Sequence, residues 1–214
     1  MKENHLPQRL FMFLAGIFAM SVGVALSCKA GLGTSPISSV PWVVSMFTPW
    51  TMGKLTIGLN LLLIIAQPIL LRTIYIREIL GQLVTLFGFG YCIDFAMSLL
   101  FWVEPTEAVG QWTACILSTV ILGIGIFLCI RAKIFVAAGE GIVLVIAFVT
   151  KLKFSIIKNC FDVTLVLISL AISFGAFEEI RGIGVGTIAG AILVGRWVQL
   201  FSNKIHFFDK WAVE

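Results

Sequence analysis

Six runs of apolar residues, each near the length that crosses a bilayer as a helix, decide most of what this chain can become: 10–28, 55–71, 79–101, 112–130, 155–175 and 183–201. Roughly 20 apolar residues span the hydrocarbon core at 1.5 Å per residue. Hydrophobic residues make up 59% of the chain and charged ones only 12%, where soluble domains carry about 25% charged residues. A soluble fold of this size has no interior large enough for so much apolar surface, so lipid must act as its solvent. The short alternating segments of a membrane β-barrel do not occur. The chain reads as an all-α membrane protein, a single transmembrane domain over 1–214 whose first partner is the lipid bilayer. The first run follows Lys2 and Arg9 as a secretory leader would, but a matching segment in mid-chain makes it the first span.

Charge sets the expected orientation. With the N-terminus inside, the inner side receives Lys2, Arg9, Arg72, Arg77, Arg131, Lys133, Lys151, Lys153, Lys158, Lys204 and Lys210, eleven cations against Lys29, Lys54 and Arg181 outside. The positive-inside rule makes that side cytoplasmic, with both termini in the cytoplasm of a cell whose inner membrane holds the protein. Trp50, Trp102, Trp112 and Trp211 sit near span ends, where indoles favour the interface.

The chain matches itself at an offset of 102 residues: Gly23 falls on Gly125, Lys29 on Arg131, Asn60 on Asp162, Thr85 on Thr187, Gly88 on Gly190 and Asp94 on Arg196. Residues 10–101 (spans 1–3) and 112–203 (spans 4–6) are therefore two repeats, and three spans per repeat force the second to insert upside down. Inverted repeats are a device of secondary transporters, whose sites lie near the midplane, and some channels share it.

Between the first two spans of each repeat lies a segment too short to cross, 31–50 in the first and 133–151 in the second. Ser35 reads as an N-cap with Pro36 at the first helical position. The helix after it should run to about Trp50, and its counterpart should begin after Gly139-Glu140-Gly141 and run to Thr150. Both are apolar all round, which favours re-entrant half-helices over helices lying in the interface. At Gly31-Leu-Gly-Thr-Ser-Pro-Ile-Ser-Ser39 the chain resembles bacterial YitT/YczE-type integral membrane proteins. That resemblance implies a bacterial cytoplasmic membrane protein and supplies no substrate or site residues.

Charges inside a membrane are costly and mark function by default. Asp94, Glu140, Asp162 and Arg196 are such residues, and Asn60 adds a polar group at similar depth. If both loops re-enter, Thr34, Ser35 and Ser38 face Gly139, Glu140 and Gly141 across a midplane cavity, with Asn60, Asp94, Asp162 and Arg196 completing a substrate- or ion-binding site. Arg196 is expected to pair with Asp162, leaving Asp94 and Glu140 for proton or cation coupling. Gly182, Gly186 and Gly190 are expected to pack against Gly81, Thr85 and Gly88 at the repeat interface. Ala15 and Ala19 offer a small-residue face to a second copy or a partner subunit.

The five cysteines (28, 92, 115, 129 and 160) have no metal-ligand or disulfide spacing, and His5 and His206 have no nucleophile beside them. No enzyme, cofactor, metal or nucleic-acid partner is expected. The expected function is a small secondary transporter for a small polar solute, with proton or cation coupling through Asp94 and Glu140 as one option. A substrate-binding membrane subunit of a multi-component transporter, or a channel, stays open as the alternative.

Overall fold

A computed structural model describes residues 6–205; Lys2, His5, His206, Lys210 and Trp211 lie outside them. The described residues form eight helices: α1 (Leu6–Lys29), α2 (Pro36–Ser45), α3 (Met52–Leu71), α4 (Ile76–Leu99), α5 (Ala108–Ala132), α6 (Ala138–Thr150), α7 (Phe154–Phe177) and α8 (Val185–Lys204). Among the described residues there is no strand. Six helices, α1, α3, α4, α5, α7 and α8, are long and apolar enough to cross a membrane. With 10 and 13 residues, α2 and α6 reach only about 15 and 20 Å, well short of a ~30 Å core.

The boundaries follow local chemistry. Ser35 is the N-cap of α2 with Pro36 behind it, but its hydroxyl donates to Ser38 Oγ (3.1 Å) instead of capping the backbone. The helix stops at Ser45 and does not reach Trp50. Pro49 disfavours helical backbone at Thr48 and removes its own N–H from any continued ladder. The third span ends at Leu99, two residues before the apolar run does, and the last begins at Val185 after the extended Gly184.

The spans are arranged around α1 and α5. More than half of the apolar window of α1 (56%) is buried, against 17% for α7 and for α8, so α1 belongs to the centre and the last two spans to the rim. Helix α1 packs along α5 and α4, α5 along α8, and α3 along α4; α2 lies against α7 and α3, and α6 against α3 and α7. Glycine makes the central crossing close. A Cβ on Gly23 would stand 2.8 Å from the Leu122 backbone nitrogen, and one on Gly125 would stand 2.5 Å from the Met20 nitrogen. Packing this tight supplies the dispersion contacts that hold helices together where lipid offers no hydrophobic gain.

The stripes expected at the repeat interface are not there. Gly81 packs on Phe135, Gly182 on Trp42 and Met46, and Gly186 on Leu32, whereas Gly88 and Gly190 face open space. Close approach occurs instead between α1 and α5, whose glycines oppose each other's backbone, and between α3 and α4 at Gly53 and Gly90.

Two ends of the bundle can be told apart by contacts. Arg9 donates to the Ala132 and Lys133 carbonyls, and Arg131 to the Ser202 carbonyl, so the start of α1 and the ends of α5 and α8 lie together. Lys29 approaches Glu104 at the opposite end (3.9 Å). The first is called here the basic end and the second the acidic end.

Candidate functional site

The non-crossing helices α2 and α6 meet at their first turns. A Cβ on Gly139 would lie 2.1 Å from Ile37 Cδ1, so the isoleucine occupies the space that glycine leaves. The two loops therefore touch where a cavity between them was expected. The open space lies to either side.

The larger space is a vestibule of about 340 Å³ between the C-terminal part of α3, the N-terminal part of α4 and the start of α6. Small-molecule sites occupy roughly 300–1,000 Å³. Its wall is mainly apolar, with Pro68, Ile79, Phe135 and Leu144, and exposed Tyr75, Arg77 and Glu78 stand toward the basic end. Two buried carboxamides belong to the same lining. Gln67 Nε2 donates to Gln82 Oε1 (2.9 Å) and Gln82 Nε2 donates to Gln67 Oε1 (3.0 Å). Gly141 lies directly beneath this pair, and a Cβ there would come within 2.9 Å of Gln82 Nε2. A half-buried charge would need a partner in this setting, whereas a reciprocal amide pair satisfies itself.

The smaller space lies toward the acidic end and holds about 10 Å³, room for one water-sized body. Ser27, Thr34, Ser35, Ser118 and Thr119 line it. The Ser27 and Thr34 hydroxyls are 2.7 Å apart, while Ser118 and Thr119 donate to the carbonyls of Cys115 and Ile116.

The ten residues singled out from the sequence do not share a cavity. Gly141 lines the vestibule, and Thr34 and Ser35 line the small space. Buried Ser38 holds the start of α2 through Ser35, and Gly139 receives Ile37. Asn60 donates to Thr56 O within its own helix (2.8 Å). Asp94 accepts from Thr51 Oγ1 and from the Gly53 N–H, both at 2.7 Å, and so caps the start of α3. Asp162 pairs with Lys158, one turn earlier on α7, and not with Arg196. Arg196 is exposed on α8 and has no hydrogen bond or ion pair among the described residues. Helix α7 starts at Phe154, which brings Lys158 into the helix and within one turn of Asp162. Glu140 is half-buried in the first turn of α6.

Gln67 and Gln82 are absent from the expected site, which is built from intramembrane charges, residues aligned at the offset and the two short loops. The signal was present, since each is a lone amide within an otherwise apolar stretch. An amide at membrane depth needs a partner as a charge does, and two of them fifteen positions apart across a short turn can supply each other.

Comparison with known proteins gives a family and no activity. The Bacillus subtilis (strain 168) protein YyaS, described as uncharacterised, is 27% identical over 202 residues, covering 91% of this chain and 94% of its own length. No solved structure matches. The model of a family of unknown function, DUF6198, matches residues 7–203, and the chain belongs to that family.

Proposed function

We propose that the protein is a small secondary transporter in which two inverted halves, 10–101 and 112–203, alternate access to a solute held beside α6. The observation that carries this reading is unequal space in a paired arrangement. Helices α2 and α6 meet first turn to first turn, with a 340 Å³ vestibule on the basic side and only a water-sized space on the acidic side. A scaffold open to one side and closed to the other is what one state of an alternating-access cycle requires.

The helix pairing supports the inversion. Exchanging α1–α4 with α5–α8 turns the α1–α4 packing into that of α5 with α8, and the α2–α7 packing into that of α6 with α3. Gly23 on Leu122 becomes Gly125 on Met20, each residue shifted by 102. The main break in the exchange is that α3 lies along α4, but α7 and α8 share no comparable face. The vestibule is on the packed side, so a reciprocal state would bring α7 toward α8 and loosen α3 from α4.

The lysine and arginine bias puts the basic end, both termini and the vestibule mouth in the cytoplasm. Segments 31–50 and 133–151 are then re-entrant, each entering from its own side. The Gly31–Ser39 motif keeps the likeness to YitT/YczE-type proteins as part of this proposal. Among the acids, Asp94 is occupied as a cap and Asp162 by Lys158, which leaves Glu140 for coupling to protons or cations.

Cysteine substitution on a cysteine-free background tests the access claim. Leu144→Cys should react with a membrane-impermeant maleimide added on the cytoplasmic side and be protected from the other side. Labelling of Leu144→Cys from the opposite face alone would reject the assignment.

A further inference from the structure

The vestibule carries no charge along its floor, and its two buried polar groups are uncharged amides. A carboxamide offers two N–H donors and an oxygen with two lone pairs. In the reciprocal pair each glutamine spends one donor and one acceptor site on the other, and the second Gln67 N–H leans toward Ala138 O at 3.5 Å. Gln67 and Gln82 are nevertheless only 7% and 6% exposed, so the pair is almost fully withdrawn from solvent. Without a ligand the amides satisfy one another, which removes the cost of leaving buried donors unpaired.

We propose that this pair is a recognition site for uncharged solutes with a coplanar amide edge, a donor N–H beside an acceptor C=O, as in a carboxamide or a lactam. Such an edge presents the same two groups that each glutamine presents to the other. Parting the pair lets one glutamine exchange its two mutual bonds for two to the solute's edge, and a second donor and acceptor on the solute, such as the other N–H and lone pair of a carboxamide or the second edge of a cyclic imide, satisfy the other glutamine. The apolar wall of Pro68, Ile79, Phe135 and Leu144 suits a flat or ring-shaped body behind that edge. Charged analogues are disfavoured, because Arg77 and Glu78 at the mouth offset each other and the floor offers no counter-charge. The inference rests on the transporter reading for its place in a cycle, but the recognition itself is an equilibrium property.

Titration calorimetry on the detergent-purified full chain tests it with nicotinamide and uracil as amide-edged probes and nicotinate as the charged counterpart. Saturable binding of at least one amide-edged probe is expected, with nicotinate weaker by roughly tenfold or more, the size of effect seen when a buried polar group is left unpaired. Gln82→Leu should weaken the amide probe by a similar factor. The double variant Gln67→Leu/Gln82→Leu keeps the shape, leaves no orphaned amide, and should fold and still lose binding. The proposal is overturned if neither amide probe saturates, if nicotinate binds as well, or if the double variant binds like the parent. Amide binding that depends on the glutamines, without flux in liposomes, would reject transport and leave this site standing. Flux of a charged solute that ignores both glutamines would do the opposite.

Discussion

Ile37 fills the space above Gly139 that any side chain there would need, and the two residues are 102 positions apart, the offset at which the chain is aligned with itself. Under the proposed inversion the two are equivalent, and a contact between equivalent residues is what a pseudo-two-fold axis through that point would produce. The contact also fixes how near the first turns of α2 and α6 can come.

Gly139→Ala should therefore destabilise, by about 1–3 kcal/mol as overpacking generally does. The clashing atom is the tip of a flexible side chain, so Ile37→Ala introduced with it should recover most of the loss. Thermal unfolding of the two single variants and the double variant in one detergent measures the coupling. Strict additivity would place the two residues apart.

Glycines in the spans should divide by what they oppose. Gly125→Ala drives a Cβ to 2.5 Å from a backbone nitrogen that cannot rotate away, and should sharply reduce the yield of folded protein. Gly88→Ala and Gly190→Ala meet nothing within 4 Å. They should be neutral or stabilising, by up to about 1 kcal/mol from helix propensity. Size-exclusion profiles and melting temperatures of the three variants distinguish them.

The intramembrane charges should behave according to their partners and not their depth. Asp94→Ala strips the start of α3 of its acceptor for the Gly53 N–H and Thr51 hydroxyl, and should cost about 1–2 kcal/mol of stability. Arg196→Leu removes an exposed guanidinium without a partner and should leave the melting temperature unchanged or raised. A large loss on Arg196→Leu with none on Asp94→Ala would reverse the assignment.

Glu140→Gln should retain the fold, because no hydrogen bond of the described structure runs through that carboxyl, yet it should abolish the response of flux to a pH gradient. Flux measured with and without the gradient in parent and variant liposomes is the check. An unchanged gradient response would remove Glu140 from coupling.

Much of the fold was legible in the sequence because lipid makes span length a hard constraint. Six apolar runs became six long helices, and Ser35-Pro36 announced the start of α2. The offset of 102 aligns Gly23 with Gly125, but their close packing was not legible, since the glycine contacts were expected between the third and sixth spans. The site was less legible. Depth along a helix does not say which way a side chain turns, so Asp94 looked like a coupling acid until α3 was seen to begin beside it. Lys158 lies inside the apolar run 155–175 but counts among the inner-side cations, and that count hides its four-residue spacing to Asp162 on the same helix. Gln67 and Gln82 carry no charge and match nothing at the offset, since position 169 is Ser and position 184 is Gly. The two halves differ at the place where the solute is proposed to bind, which a search for matching residues passes over.

Counterflow across proteoliposomes, with the vestibule reversibly locked, tests the central claim most directly. Thr73→Cys and Val136→Cys, both in the vestibule wall, can be bridged by a reducible bifunctional linker. Exchange of labelled amide-edged solute should run in the unbridged protein, stop when the bridge is made, and return when it is reduced. Exchange that continues through the bridged protein, or is absent from the unbridged one across a solute panel, would contradict transport by alternating access.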